Sequence, residues 1–341
     1  SALFLTLNRN KQSIDINLKS DEGRQVFYDL VKVSDVVVDN FRPGVLERLK
    51  IDYPVLKELN AGIIQCSITG YGAKGEYADA PALDIIIQSM AGYMAVTGEP
   101  GRPPVRTGIP IADLCGGIFS SQAILAALFD RERTGEGRYI ELSMFDGMLS
   151  LLIYMGTMWL TKGELPEPPG SGHMYSVPWQ AFKCADGYVV IATRQEVFWT
   201  RLCEAINAPE LAEDKRFATN PDRVENRDEL VPLLEAIFAK KPVDDWIKRF
   251  REFDIPAAPV NNLDGAFAAP PVAERDMIAE YDHPKVGKVR LPGNPFKMSG
   301  IEGTISKPAP GLGEHTDLVL ETLLGLDADK ISQLRRSGAV K

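Results

Sequence analysis

Histidine and cysteine are scarce in this chain, at three and four in 341 residues. His173, His283 and His315 lie far apart and none has a second ligand at metal spacing, so no metal site is expected. Cys66, Cys115, Cys184 and Cys203 are scattered, with no C-x-x-C pair and no small-domain disulfide pattern. They read as free thiols of a reducing compartment, which points to a cytoplasmic protein. Uninterrupted apolar runs of about 18 residues are also missing, and "SALFLTL" is too short and lacks the basic start of a signal peptide, so no membrane association is expected. Positive charge is in deficit: 38 Lys and Arg face 47 Asp and Glu, a net charge of -9 and a pI near 5.1. An extended phosphate backbone is repelled by such a surface, which excludes nucleic acid as the expected partner, although local cations can still hold a compact anion.

What is present is a globular composition, 45% hydrophobic and 25% charged, on a chain long enough for two domains. Within "SITGYGAKGEYADAP", Gly70, Gly72 and Gly75 have the G-x-G-x-x-G spacing of a dinucleotide site. That chemistry needs a helix starting at the third glycine and an acidic residue about 20 positions on. The residues after Gly75 have no helical periodicity, and "GYMAVTGEP" is no strand ending in an acid. The stretch reads as a glycine-rich turn, and NAD is not the expected cofactor.

Strand-like and helix-like segments alternate over the first 150 residues. "SIDINL" alternates polar and apolar, "SDEGRQVFYDLVKVS" opens on capping residues and places Val26, Leu30 and Val33 on one face, and "DVVVDN" and "GIIQCSIT" read as buried strands. This βαβ order favours a parallel sheet with helices on its faces. "ALDIIIQSMAGYMAV" and "DLCGGIFSSQAILAALFDRER" read as helices, "RYIELSM" as a strand, and "FDGMLSLLIYMGTMWL" as a central buried helix. The expected fold is α/β: a Rossmann-like large domain over 1–165, a Pro- and Gly-rich linker at 166–175, a smaller α+β domain at 176–262, a return linker at 263–290, and the rest of the large domain at 291–341.

Two places carry candidate chemistry. Asp113 stands where a Pro-containing loop enters a long helix, followed by Cys115 and the pair Gly116 and Gly117. Each helical glycine costs about 1 kcal/mol relative to Ala, which suggests that another backbone or a ligand comes close. Asp113 reads either as a helix N-cap or as a nucleophile toward an activated acyl group, with nearby amides stabilising the oxyanion. Cys115 is a rival nucleophile, but no histidine lies near it in sequence. In "VVVDNFRPGVLERLK", Asn40 ends a strand where open α/β sheets collect ligands. Arg42, Arg48 and the earlier Lys19 supply cations that either hold phosphates or remain solvated.

"LNRNKQSIDINLK", "DVVVDNFRPGVLERL", "SITGYGAKGEYADAPALDIIIQSMAG", "PIADLCGG", "FDRERTGEGRYIELSMFDG", "PFKMSG" and "PGLGEHTDLVLETLLG" together resemble the family III coenzyme A transferases, the group of formyl-CoA transferase and the carnitine and bile-acid CoA-transferases. The resemblance runs nearly end to end. It implies CoA transfer from an acyl-CoA donor to a carboxylic acid through an aspartyl-CoA thioester, with Asp113 as the nucleophile and no metal or redox cofactor. It implies CoA contacts at Lys19, Asn40, Phe41, Arg48, Gly70, Tyr71 and Gly72, with Gly70 to Gly75 as a loop near the active site. It also implies an interlocked homodimer and one further βα unit ahead of the point matching Ser1.

A dicarboxylic or branched acid is the expected acceptor, with Arg102 and Arg106 in "GRPPVRTG" as carboxylate clamps and Gly116 and Gly117 beside the reacting carbonyl. Pro81 stands where formyl-CoA transferase has a CoA-binding lysine, and its glycine-rich loop has no match beyond "PGSGHM", which argues against formate and oxalate. Two alternatives remain. The fold family includes α-methylacyl-CoA racemases, but their catalytic His is replaced here by Leu83, next to Asp84. A chain without its first unit could instead be an inactive CoA-binding fragment.

Overall fold

The computed structural model describes residues 1–301, 303, 305 and 307–341. The chain is mixed α/β and divides into two compact units. The first comprises Ser1–Ala91, Gly108–Ile153 and Phe267–Lys341; the second comprises Gly92–Thr107 and Tyr154–Ala266. Gly92–Thr107 and residues 154–165 thus cluster with the second unit, although the sequence boundaries put both in the large domain.

The first unit is organised by a three-stranded parallel sheet in the order β1 (Val36–Asp39), β2 (Ile64–Thr69), β3 (Tyr139–Ser143). The register aligns Asp39 with Ser67 and Thr69 with Ser143, so the carboxyl ends of all three strands share one edge. Helices α1 (Ala2–Leu7), α2 (Asp21–Lys32), α3 (Val45–Leu49), α4 (Tyr53–Leu59), α5 (Asp84–Met90), α6 (Ile111–Thr134) and α7 (Met144–Ser150) complete the part of this unit that precedes the excursion. Ser20 caps α2 by accepting the Gly23 amide, and Asp21 and Glu22 in the first turn complement the helix dipole.

β2 is buried almost throughout, as its continuous apolar run requires in the centre of a parallel sheet. β1 differs from expectation: it is an edge strand, and Val38 is 53% exposed. "SIDINL" forms no strand either. Only Ile16 makes a bridge, to Val340, and the segment is held by the C-terminal tail instead of a sheet neighbour. The expected long buried helix after β3 is two helices, α7 and α8 (Ile153–Lys162), separated where Ile153 takes a positive φ of 35°. Most of α8 is not buried, Leu160 being 83% exposed. The passage read as an irregular return linker contains a hairpin, β7 (Ile278–His283) with β8 (Gly287–Pro292), which turns at Gly287 with φ 74°.

In the second unit β4 (Trp179–Lys183), β5 (Tyr188–Ala192) and β6 (Ala257–Pro259) form an antiparallel sheet. Its core is its own: Phe182, Trp199, Phe217, Phe238, Trp246 and Phe250 are all buried. Phe238 lies at the centre, with ring centroids 4.9 Å from Phe182, 5.2 Å from Trp246 and 5.9 Å from Phe250. Replacing Phe238 with Ala removes three aromatic contacts from a site that cannot collapse around the gap. Chemical denaturation is expected to show a loss of about 3–5 kcal/mol in the transition of this unit.

Candidate active site

The candidate site is built on the carboxyl edge of the β1-β2-β3 sheet. Leaving β1, the Asp39 carboxylate accepts the Ser67 hydroxyl at 2.7 Å and the Phe41 amide at 3.3 Å, which pins the turn that carries Asn40 and Phe41. Asn40 donates to the Ile68 carbonyl at 2.6 Å and so ties that turn to the end of β2. The chain then leaves β2 at Gly70. A Cβ there would stand 2.1 Å from the Cβ of Ala82, so only glycine lets the loop pass. The Gly70 carbonyl accepts the Phe145 amide at 3.0 Å, which fixes the entry to α7.

Gly72 has φ 93° and Gly75 φ 98°, values that glycine adopts without strain. Thr69 Oγ1 accepts the Gly72 amide at 2.9 Å and Glu141 Oε1 accepts the Ala73 amide at 2.6 Å. Tyr71 lies between Tyr77 and Phe145, with centroids 5.4 and 5.8 Å away. No helix starts at Gly75; the next one, α5, begins at Asp84. The G-x-G-x-x-G is therefore a turn at the sheet edge without the helix terminus that a pyrophosphate site needs.

α6 starts at Ile111 with Pro110 at the N-cap position, which places Asp113 third in the helix. The N-cap reading of Asp113 is therefore corrected. Its carboxylate makes no hydrogen bond or ion pair among the described residues, and the residue is exposed. Its pKa is nonetheless raised, first because adjoining protein displaces water from one side and then because the negative charge of Asp84 is close. Asp84 Oδ1 accepts the Ala112 amide at 2.8 Å, and Asp84 Oδ2 accepts from Gln88 Nε2 at 2.6 Å. Sequence reasoning passed over Asp84 as a functional residue. The available signal was the four-residue spacing of Asp84 and Gln88, which puts both on one face of α5.

A Cβ at Gly116 would make only ordinary contacts, with Met144 Cγ at 3.4 Å and Ile68 Cγ2 at 3.8 Å, so the packing of α6 on the sheet edge does not require glycine there. Nothing lies within 4 Å of the corresponding point at Gly117. The paired glycines thus face side chains in one case and open space in the other, and among the described residues no other segment's backbone lies within 4 Å of either Cβ point.

The structure brings together Asn40, Phe41, the Gly70–Gly75 loop and the first turns of α6, all at one sheet edge. Lys19 and Arg48 are exposed, and neither side chain is hydrogen-bonded or ion-paired among the described residues. Lys19 is held through its backbone, whose amide donates to Asn17 Oδ1 at 3.2 Å. Arg102 and Arg106 are exposed residues of the second unit, whereas Asp113 belongs to the first. Among the described residues no group of three or more His, Cys, Asp or Glu is arranged to hold a metal ion.

The family model for CoA-transferase family III matches residues 1–316. The chain belongs to CoA-transferase family III. It is 36% identical over its whole length to the succinyl-CoA:glutarate CoA-transferase of Mus musculus, covering 78% of that protein. It is 40% identical over 92% of its length to the acetyl-CoA:oxalate CoA-transferase of Acetobacter aceti, covering 80% of that one. A solved CAIB/BAIF family protein from Brucella suis has the same fold, with a TM-score of 0.84 and 36% identity over 95% of this chain and 84% of that chain. The protein is a CoA-transferase, and CoA thioesters are its substrates.

Cys115, two residues beyond Asp113, is half-buried, and burial pushes its thiol pKa up, opposite to what a thiolate nucleophile requires. Cys115→Ala is expected to keep CoA transfer within about threefold of the unaltered protein, as befits a packing residue. Initial rates of acyl exchange check this.

Proposed function

We propose that Asp113 carries CoA through a covalent aspartyl thioester, moving it from an acyl-CoA donor to a dicarboxylate. The observation behind this reading is the Asp113 carboxylate itself. It is exposed, unpaired and raised in pKa, and it stands in the first turn of a helix at the carboxyl edge of a parallel sheet. One carboxylate oxygen attacks the donor thioester carbonyl and expels CoA thiolate, leaving a mixed anhydride. The thiolate attacks the aspartyl carbonyl, forms the aspartyl-CoA thioester and frees the donor acid. The acceptor carboxylate attacks that thioester and expels CoA thiolate again. Attack by the thiolate on the acceptor carbonyl of the second anhydride gives the new acyl-CoA and restores Asp113. Each step exchanges one acyl bond for another, so thioester energy is conserved and no oxidant enters.

In this reading CoA is held by Lys19, Asn40, Phe41, Arg48, Gly70, Tyr71 and Gly72, with the two cations on its phosphates. Arg102 and Arg106 are assigned to the acceptor carboxylate. Glutarate and oxalate in the names of the two relatives support a dicarboxylate acceptor, and the oxalate enzyme keeps that acid on the panel to be tried. Four free cysteines suit a cytoplasmic setting.

We also assign the protein an interlocked homodimer with a Rossmann-like large domain. Supporting this is the apolar stripe of α6, where Leu114, Ile118, Leu125 and Phe129 recur on one face and are 41%, 56%, 66% and 69% exposed. By length and composition α6 is also the one helix among the described residues that could cross a membrane. A second copy satisfies the stripe without one. Light scattering is expected to give twice the 37.5 kDa chain mass in the absence of detergent; a monomer would overturn the assignment.

Asp113→Ala is expected to lower transfer by at least about 10⁴-fold with an unchanged circular dichroism spectrum. Borohydride reduction of the unaltered protein incubated with succinyl-CoA is expected to convert Asp113 to its alcohol, seen in the peptide mass. Retained turnover in the variant would sink the mechanism.

A further inference from the structure

We propose that Asp84 is a positioning residue for the reaction: its carboxylate fixes the first turn of α6 and thereby holds Asp113 at the sheet edge with its own carboxylate unbonded. This rests on the assignment of Asp113 as the nucleophile and adds the residue that places it.

A helix begins with amides that have no partner inside it, and a side-chain oxygen at the N-cap ordinarily accepts one of them. Pro110 occupies that position in α6 and has no such oxygen. An acidic residue third in a helix ordinarily reaches back to the N-cap amide, but proline has no N–H to offer it. Pro110 therefore withdraws both the cap and the usual partner of Asp113. The missing acceptor comes from another helix: Asp84 Oδ1 takes the Ala112 amide at 2.8 Å, one residue before Asp113. The other oxygen of Asp84 is held by Gln88 Nε2 at 2.6 Å, one turn along α5, and Gln88 is fully buried. Both oxygens are thus fixed. The amide next to the nucleophile is anchored to α5, while the nucleophile stays free to attack.

The second effect of Asp84 is electrostatic. Its charge raises the pKa of Asp113, behind only the displacement of water, and a more basic carboxylate is a better nucleophile. The other charged or titratable groups on elements packed here are Asp146 on α7, Tyr139 and Glu141 on β3, the charges of Asp130, Arg131, Glu132 and Arg133 at the far end of α6, and the thiols of Cys66 on β2 and Cys115 on α6. Glu141 is engaged by the Ala73 amide, and burial raises both thiol pKa values and keeps them neutral. Asp84 is the one whose charge bears on Asp113.

Two variants separate the roles. Asp84→Ala removes both acceptors and the charge; Asp84→Asn keeps an oxygen for the Ala112 amide and removes the charge together with the acceptor for Gln88 Nε2. The probe is succinyl-CoA, read by the rate of reductive trapping at Asp113, by kcat and KM in succinyl-CoA:glutarate exchange, and by the pH dependence of trapping. For Asp84→Ala, trapping and kcat are expected to fall about 10–100-fold, the scale of a misplaced reacting group, with KM for succinyl-CoA within about threefold. Asp84→Asn is expected to recover most of that loss. Its acid limb should move to lower pH, because removing a neighbouring negative charge makes Asp113 easier to ionise. Thermal melts establish that both variants are folded, and the acid limb of Asp84→Asn carries the test if Asp84→Ala does not fold. The inference is overturned if folded Asp84→Ala is trapped as fast as the unaltered protein, if Asp84→Asn is as slow as Asp84→Ala, or if the acid limb does not move. Absence of trapping in the unaltered protein would instead overturn the assignment of Asp113.

Discussion

The contact between Gly70 and Ala82 sets the geometry of everything at the reactive edge. With a Cβ at residue 70 the two segments would interpenetrate at 2.1 Å, so the path of the chain off β2 exists only for glycine. That path brings Ala82 under the loop and delivers Asp84, two residues later, to the start of α6. The same glycine's carbonyl receives the Phe145 amide and so sets where α7 begins. Two helices and one loop are thereby indexed to a single strand end. Asp113 inherits its position from that indexing, since its own carboxylate has no partner among the described residues.

Much of this was legible in the sequence because the periodicities were strong. The apolar run of β2, the capping Ser20 and the long α6 all announce themselves locally. What failed did so where local pattern and tertiary supply disagree. "SIDINL" has strand alternation, but alternation makes a strand only where a neighbour offers a ladder, and here Ile16 finds a single bridge to Val340. "FDGMLSLLIYMGTMWL" is apolar enough to be buried, yet apolarity does not say which surface does the burying, and within this chain Trp159 and Leu160 remain open.

The site was legible in a similarly uneven way. Asp113 stands out through its proline, its glycines and the family resemblance, whereas its place inside the helix, without cap duties, emerges only from the start of α6 at Ile111 with Pro110 at the N-cap position. Asp84 carries only one local signature, its four-residue spacing from Gln88, because a carboxylate that serves another helix otherwise looks in sequence like any acid in a first turn. Arg102 and Arg106 show the opposite limit: their sequence proximity to Asp113 does not keep them in its unit, since the chain crosses from one compact unit to the other between Thr107 and Gly108.

The N-terminal segment is secured almost entirely by the other end of the chain. The Asp15 amide donates to Thr316 Oγ1, 301 residues away, the Asn17 amide to the Ala339 carbonyl, and the Lys341 amide to the Asp15 carbonyl. Closing loops of that length is slow. The second unit, by contrast, has its whole aromatic core between Val177 and Ile255, although Gly92–Thr107 also belongs to it. Displacing Ala339 would unfasten Asn17, and with it the backbone that carries Lys19.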